Sequence, residues 1–429
     1  MADWVDTRLS DLIEIKHGYA FKGEYFREEP PGEFLLTPGN FAIGGGFQWG
    51  KKKYYRDGPV PNEFVLRPGD LLVTMTDLSK EADTLGYSAI MPDSDVRLLH
   101  NQRLGKVIKK SESIDVDYLH WLLRSPDYRN EILASYTGST VKHTSPKKIL
   151  AYQFPCPPLQ EQIQIATVLD SLEHKIDLNR RMNETLEAMA WAIFKDWFVD
   201  FGPTRAKAQG RDPYLAAELW DLFPELLDEE GLPTGWQLGL LDGFFHLTMG
   251  QSPPGSSYND DGIGLPFFQG RTDFGFRYPK NRKFCTAPTR IAERDDTLVS
   301  VRAPVGDINM AWEKCCTGRG VSALRHRSGA RSFTYYSARA IQQELKQYEH
   351  TGTVFGAINK KQLEALDVVE PTPEMVMLFE DQVGALDDLI RKNTSESHIL
   401  TRTRDLLLPK LMSGEIGLRE AEHAVEAAT

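Results

Sequence analysis

The feature that most constrains this chain is that it is written twice. Thr137-Gly138-Ser139-Thr140-Val141 recurs as Thr351-Gly352-Thr353-Val354, and Lys147-Lys148-Ile149-Leu150 recurs as Lys360-Lys361-Gln362-Leu363. Asn179 recurs as Asn393. The offsets are 214 (351 − 137), 213 (360 − 147) and 214 (393 − 179). Earlier in each half, Gly69-Asp70-Leu71-Leu72-Val73 matches Asp295-Asp296-Thr297-Leu298-Val299 at 226 (296 − 70), which we read as insertions in the front part of the second copy. A period near half of 429 residues means one architecture built two times.

Within each half the hydrophobic period changes. The front carries short strand-like runs, Asp70 to Met75 and Thr297 to Val301, between turn signals such as Gly44-Gly45-Gly46, Ser252-Pro253-Pro254-Gly255 and Ala303-Pro304. After Pro157-Pro158 the chain runs to about Phe198 without proline. There, Leu159, Ile163, Ala166, Leu169, Leu172 and Ile176, then Leu186, Met189, Ile193 and Trp197, keep steps of three or four. This spacing predicts one long amphipathic helix, started by proline in or before its first turn. A second begins near Pro373-Glu374, carries Phe379, Val383, Leu386, Ile390, Leu400, Leu407 and Leu411, and is stopped by Gly414.

A helix of roughly 40 residues is a rod of about 60 Å, which suits pairing with its repeat better than isolation. The expected pairing residues are Leu172, Ile176 and Asn179 with Leu386, Ile390 and Asn393. The asparagines fill seam positions where apolar residues are expected, and a polar residue there fixes register at some cost in stability. The helices are therefore expected to run antiparallel about a pseudo-twofold axis near Asn179 and Asn393. The domains read as 1–156, a spacer helix 157–200, a linker 201–235 with one short helix around Tyr214 to Leu222, a second domain 236–372, a second spacer helix 373–416 and a flexible tail 417–429. The fold class is α+β.

Composition narrows function. Fifty Lys and Arg against 61 Asp and Glu give a net charge of −11, which argues against a non-specific nucleic-acid coat but leaves room for a local basic face. No apolar run is long enough to span a bilayer, and the first ten residues lack signal-peptide blocks, so a cytoplasmic, membrane-free protein is expected. Cys156, Cys285, Cys315 and Cys316 show neither zinc-finger nor disulfide-framework spacing and are read as reduced thiols.

Catalytic motifs are missing. There is no G-x-x-x-x-G-K-[ST] phosphate loop, no H-E-x-x-H pair and no Asn-Pro-Pro-Tyr-like tetrad to hold a flipped base. Asp11 with Glu14-Ile15-Lys16 could suggest a carboxylate metal site, but a solvated strand face explains it better, so we assign no catalytic or metal residues. What remains is polar and aromatic loop chemistry: Lys51, Lys52, Lys53, Tyr54 and Arg56; Lys142 and His143; Gln269 and Arg271; Arg277 and Tyr278; and Arg302. Such residues neutralise phosphates and read base edges.

The run Pro155-Cys156-Pro157-Pro158-Leu159-Gln160-Glu161-Gln162, continuing through Ile165 to Asp170 and Phe194-Lys195-Asp196-Trp197-Phe198-Val199-Asp200-Phe201, resembles the central conserved region of the specificity subunits of Type I restriction-modification enzymes. Leu406-Leu407-Leu408-Pro409-Lys410-Leu411-Met412-Ser413-Gly414-Glu415-Ile416 resembles the end of their second conserved region. Gly18 to Lys22, Gly138 to His143 and Ser300 to Asn309 are similar to their recognition domains. The resemblance implies two mixed α/β target-recognition domains, separated by two long antiparallel helices, that read the halves of a bipartite, asymmetric site in double-stranded DNA. It also implies docking of two methylation subunits, with restriction subunits joining through the complex. S-adenosylmethionine, ATP and Mg would belong to those partners, with no cofactor on this chain. One departure is that Glu374-Met375-Val376-Met377-Leu378-Phe379-Glu380-Asp381-Gln382 lacks the Pro-Leu-x-Glu-Gln spelling of the first spacer. The competing expectations are a single-chain DNA-modifying enzyme and a helical scaffold that binds no DNA.

Overall fold

The computed structural model describes residues 4–350 and 356–427. The chain forms two compact units, one running up to Asn179 and resuming at Ser395, the other Arg180–Thr394. In the first unit, Val5–Arg8 pairs antiparallel with Gln153–Cys156. A four-stranded sheet has the order Ile13–His17, Leu104–Lys109, Leu71–Thr74, Ser88–Ile90, and a five-stranded sheet the order Phe26–Arg27, Tyr54–Tyr55, Glu33–Leu35, Leu98–Leu99, Val65–Leu66.

The second unit repeats this strand for strand. Gln237–Leu240 pairs antiparallel with Asp367–Glu370. Its four-stranded sheet runs Phe245–Met249, Val321–His326, Thr297–Ser300, Ile308–Met310, and its five-stranded sheet Tyr258–Asn259, Phe284–Cys285, Leu265–Phe268, Cys315–Thr317, Ile291–Ala292. The Thr351 to Val354 copy of the first repeat lies outside the described residues. The register beside it is carried by the Thr76 pairing with His143, matched by the antiparallel bridge between Arg302 and Ala357.

One expectation is corrected. The offset falls from 232 (237 − 5) at the first strand to 226 (297 − 71), then 217 (321 − 104), and finally 214 (367 − 153). A falling offset means that the first copy is the longer, so the insertions lie there and not in the second. The link from Thr74 to Ser88, for example, is longer than its counterpart from Ser300 to Ile308.

The long helices are Leu159–Phe198 and Pro373–Ser413. Each contributes to both cores. Ile165, Ala166, Leu169 and Leu172 pack in the first unit with Leu400, Leu407, Leu408 and Leu411. Ala190, Phe194, Trp197 and Phe198 pack in the second with Met375, Val376, Phe379, Val383 and Ile390. Within the second unit Phe194 and Phe198 each stand 5.4 Å from Phe379, while Asn183 meets Thr394, so the helices run antiparallel there. In the first unit Glu173 meets Arg404 and Asn179 meets Glu396, the same sense. Burying each large aromatic at these ends stabilises by about 1.5–3 kcal/mol.

Each of the two asparagines makes a seam bond within its own unit. Asn179 donates to Glu396 at 2.7 Å, and Asn393 donates to Asn183 at 3.0 Å, so Asn183 is the seam polar residue that sequence spacing did not flag. Leu172 and Ile390 are fully buried, and Ile176 and Leu386 are partly buried beside them.

Within the expected tail 417–429, the described residues 417–427 are not loose. Leu418–Glu426 is a helix whose Ala421 is fully buried in the first core. The linker is also packed: Gly202–Ala208 and Ala217–Trp220 are helical, and Phe201, Phe223 and Leu232 join the second core. Pro203 sits in the first turn of its helix, where its missing N–H costs nothing, so Gly202-Pro203 opens a helix in the linker besides the one expected near Tyr214 to Leu222.

Candidate nucleic-acid interface

Three of the expected residues converge in the second unit. Gln269, Arg271 and Arg302 line one open concavity of about 580 Å³, together with Gly270, Thr272, Arg319 and Gly320. Gln269 and Arg271 follow the strand Leu265–Phe268, and the turn Arg271–Asp273 holds the latter. Arg302 lies just past Thr297–Ser300, its backbone fixed by the bridge to Ala357. Arg319 comes from the turn joining Cys315–Thr317 to Val321–His326. Gly320 N–H donates to Gln269 O at 3.1 Å, and a Cβ at Gly320 would stand 2.3 Å from that oxygen, so only glycine permits this approach.

The electrostatics of the concavity are uneven. Arg271 is ion-paired with Asp307 at 2.5 Å. Arg319 reaches only the Ser252 hydroxyl, at 3.3 Å, and among the described residues neither Arg319 nor Arg302 has a carboxylate partner. Both are exposed. Two uncompensated guanidiniums and a free carboxamide are donors suited to an anion or to the acceptor edge of a base. Arg319 was not among the expected residues; the available signal was an arginine between two glycines, Gly318 and Gly320, at a turn.

The neighbouring pair Arg277 and Tyr278 is removed from the candidate interface. Arg277 is 2% exposed, bonded to Asp387 at 2.9 Å, Glu187 at 3.3 Å and the Tyr336 hydroxyl at 2.7 Å, with its guanidinium 3.7 Å from the Tyr335 ring centre. These acidic and aromatic neighbours hold its pKa well above the ordinary value against the opposing effect of burial. It fastens the sheet domain to both long helices within the second unit, and removing one member of such a network costs about 3–5 kcal/mol. Tyr278 is buried edge-on against Trp312 at 4.8 Å.

In the first unit the expected residues divide between two sheets. Tyr54 is buried against Phe34 and faces the core. Lys51, Lys52 and Arg56 remain exposed, Lys51 beside Glu28 at 3.4 Å and Arg56 beside Asp57 at 3.4 Å, while Lys53 lies 4.1 Å over the Phe26 ring. Lys142–His143 instead pairs with Thr76–Asp77. Lys142 is buried and donates to Ser79 O, so it is withdrawn from the interface, whereas His143 stays exposed with Nδ1 3.2 Å from the Thr76 hydroxyl. The Gly44-Gly45-Gly46 turn is held by Arg124 Nε donating to Gly44 O at 2.8 Å, and a Cβ on Gly45 would strike that arginine at 2.5 Å.

Comparison with known proteins gives this arrangement a context. Residues 1–188 match the family model described as the Type I restriction modification DNA specificity domain. The chain is 29% identical over 428 residues to the type I restriction enzyme MjaX specificity subunit of Methanocaldococcus jannaschii, covering 97% of this chain and 94% of that one. It is 25% identical over 486 residues to the HindI specificity subunit of Haemophilus influenzae, covering 97% and 100% respectively. The S subunit of a Type I restriction-modification system from M. genitalium shares the fold at TM-score 0.56 and 17% identity, over 95% of this chain and 96% of that one. This duplicated α+β chain is similar from end to end to proteins of one kind, the specificity subunits of Type I restriction enzymes.

Proposed function

We propose that each unit reads one half of a bipartite, asymmetric site in double-stranded DNA, and that this chain contributes target choice without chemistry of its own. The observation carrying this reading is the strand-for-strand duplication of a sheet domain, each copy with its own polar loops, on two helices that enter both cores. Two readers on a common support let the sequence between half-sites go unread, as fixed half-site spacing does for dimeric readers. The readers' loops differ in sequence, so the halves of the target differ. Two methylation subunits dock on the helices and supply S-adenosylmethionine and base flipping; restriction subunits supply ATP- and Mg-dependent translocation and cleavage. The assembly works in the cytoplasm.

The test is to map methylated adenines in DNA from cells carrying this chain with a methylation subunit, then repeat with residues 5–150 exchanged for those of another specificity subunit. A two-part motif that changes in one part only is expected. A single continuous motif, or methylation by the purified chain alone with labelled S-adenosylmethionine, would defeat the proposal.

A further inference from the structure

Resting on the reading that this chain binds DNA, we propose that the concavity of the second unit is a phosphodiester clamp formed by Arg302 and Arg319, with Arg271 beside them, and that the first unit lacks it. Three arginines share one concave surface in which Asp307 compensates only Arg271. Its floor is made of glycine: Gly320 N–H bonds to Gln269 O, and Gly270 leaves open space where a side chain would stand. A concave surface with guanidiniums at its rim and no side chain filling its floor accepts the ridge of a sugar-phosphate strand, whereas base edges are read by side chains that protrude into a groove. The site therefore grips and does not specify.

The duplication shows what the first unit has instead. The turn Pro38–Asn40 corresponds to Arg271–Asp273, which puts Pro38 in the place of Arg271. The Thr76 pairing with His143 corresponds to the Arg302 bridge with Ala357, which puts Thr76, 5% exposed, in the place of Arg302. Met75 N–H donates to Arg103 O as Val301 N–H donates to Gly320 O, so Gln102 stands for Arg319 and Arg103 for Gly320. Three arginines in one copy are thus proline, threonine and glutamine in the other, with a single arginine one position away. The arginine clamp is one-sided.

The experiment measures binding of the full-length protein to a labelled duplex of arbitrary sequence across salt concentrations of about 50–200 mM, where log K falls linearly with log salt at close to one unit per neutralised phosphate. Arg302→Ala and Arg319→Ala are each expected to lower the slope by about one, equally on cognate and unrelated duplexes, with the methylated motif unchanged. Arg302→Lys and Arg319→Lys are expected to keep the slope, since charge is what a phosphate counts. A slope near zero in the unvaried protein overturns DNA binding by this chain altogether. A normal starting slope that neither alanine variant moves overturns the clamp alone, and relaxation of one base in the motif at unchanged slope assigns these arginines to base reading instead.

Discussion

His100 and His120 stand in the first unit as uncharged imidazoles. His100 Nε2 lies 2.9 Å from Leu104 O and donates its proton there, while burial pushes its pKa down to about 4. His120 is enclosed between the Ser88 hydroxyl at 2.9 Å and Arg124 at 3.1 Å, and burial, then the Arg124 charge, drive its pKa well below the ordinary value. A folded pKa below the unfolded one means that the unfolded chain binds more protons, so the stabilising contribution is complete above about pH 6.5 and is lost as pH falls toward the folded value. His100 alone takes away about 2 kcal/mol between pH 6.5 and 5. The urea midpoint is expected to fall across that window, and His100→Gln, which keeps the donor, to flatten the fall; an unchanged slope contradicts the assignment. At this scale the sequence was only partly legible. Arg302, Arg271 and Gln269 were expected from the turn chemistry around them, and the second unit brings them to one concavity. Arg277 had the same local look, but its carboxylate partners, Glu187 and Asp387, are 90 and 110 positions away, a distance that no window of local pattern spans.

The helices were the most legible elements, because three-and-four spacing sustained over 40 and 41 residues has no competing interpretation. Less legible was why the two begin differently. Gln162 is fully buried and closes the helix start: its Nε2 donates to Pro157 O at 2.8 Å and Ser113 O at 3.0 Å, and its Oε1 accepts from Asp115 N–H at 2.9 Å. At the equivalent position the second helix places Val376 in the apolar core, so the missing Gln spelling is a change from polar lock to packing. The seam also mixes both solutions. Asn183 accepts from Asn393 and donates to Thr394 at 3.3 Å, all of it buried or nearly so in the second unit. Asn183→Leu removes the acceptor of the Asn393 Nδ2 bond from a buried seam and is expected to cost about 1–3 kcal/mol. Asn183→Leu with Asn393→Leu replaces both partners by apolar groups and is expected to recover most of that loss. Urea denaturation of the three variants checks it; additive losses in the double variant count against a coupled pair.

For the whole molecule the duplication implies more than either copy. Each helix begins in one core and ends in the other, Leu169 to Phe198 in the first and Phe379 to Leu411 in the second, so neither can change length without affecting both units. That dependence makes a length variant informative. Removing about seven residues from matched places in both helices takes out two turns, near 10 Å, and leaves the apolar stripes within about 20° of their original facing. Matched removal also keeps the antiparallel partners at each end, Glu173 with Arg404 and Phe198 with Phe379, in register. On the proposed bipartite reading, with about 3.4 Å per base pair along one strand, the unread gap between half-sites is then expected to shorten by roughly three base pairs, while both half-sites keep their sequences. Methylome mapping reads the gap directly. A shorter gap with intact half-sites makes helix length the ruler; an unchanged gap in a variant that still folds and methylates means that the DNA, and not the helices, sets the distance.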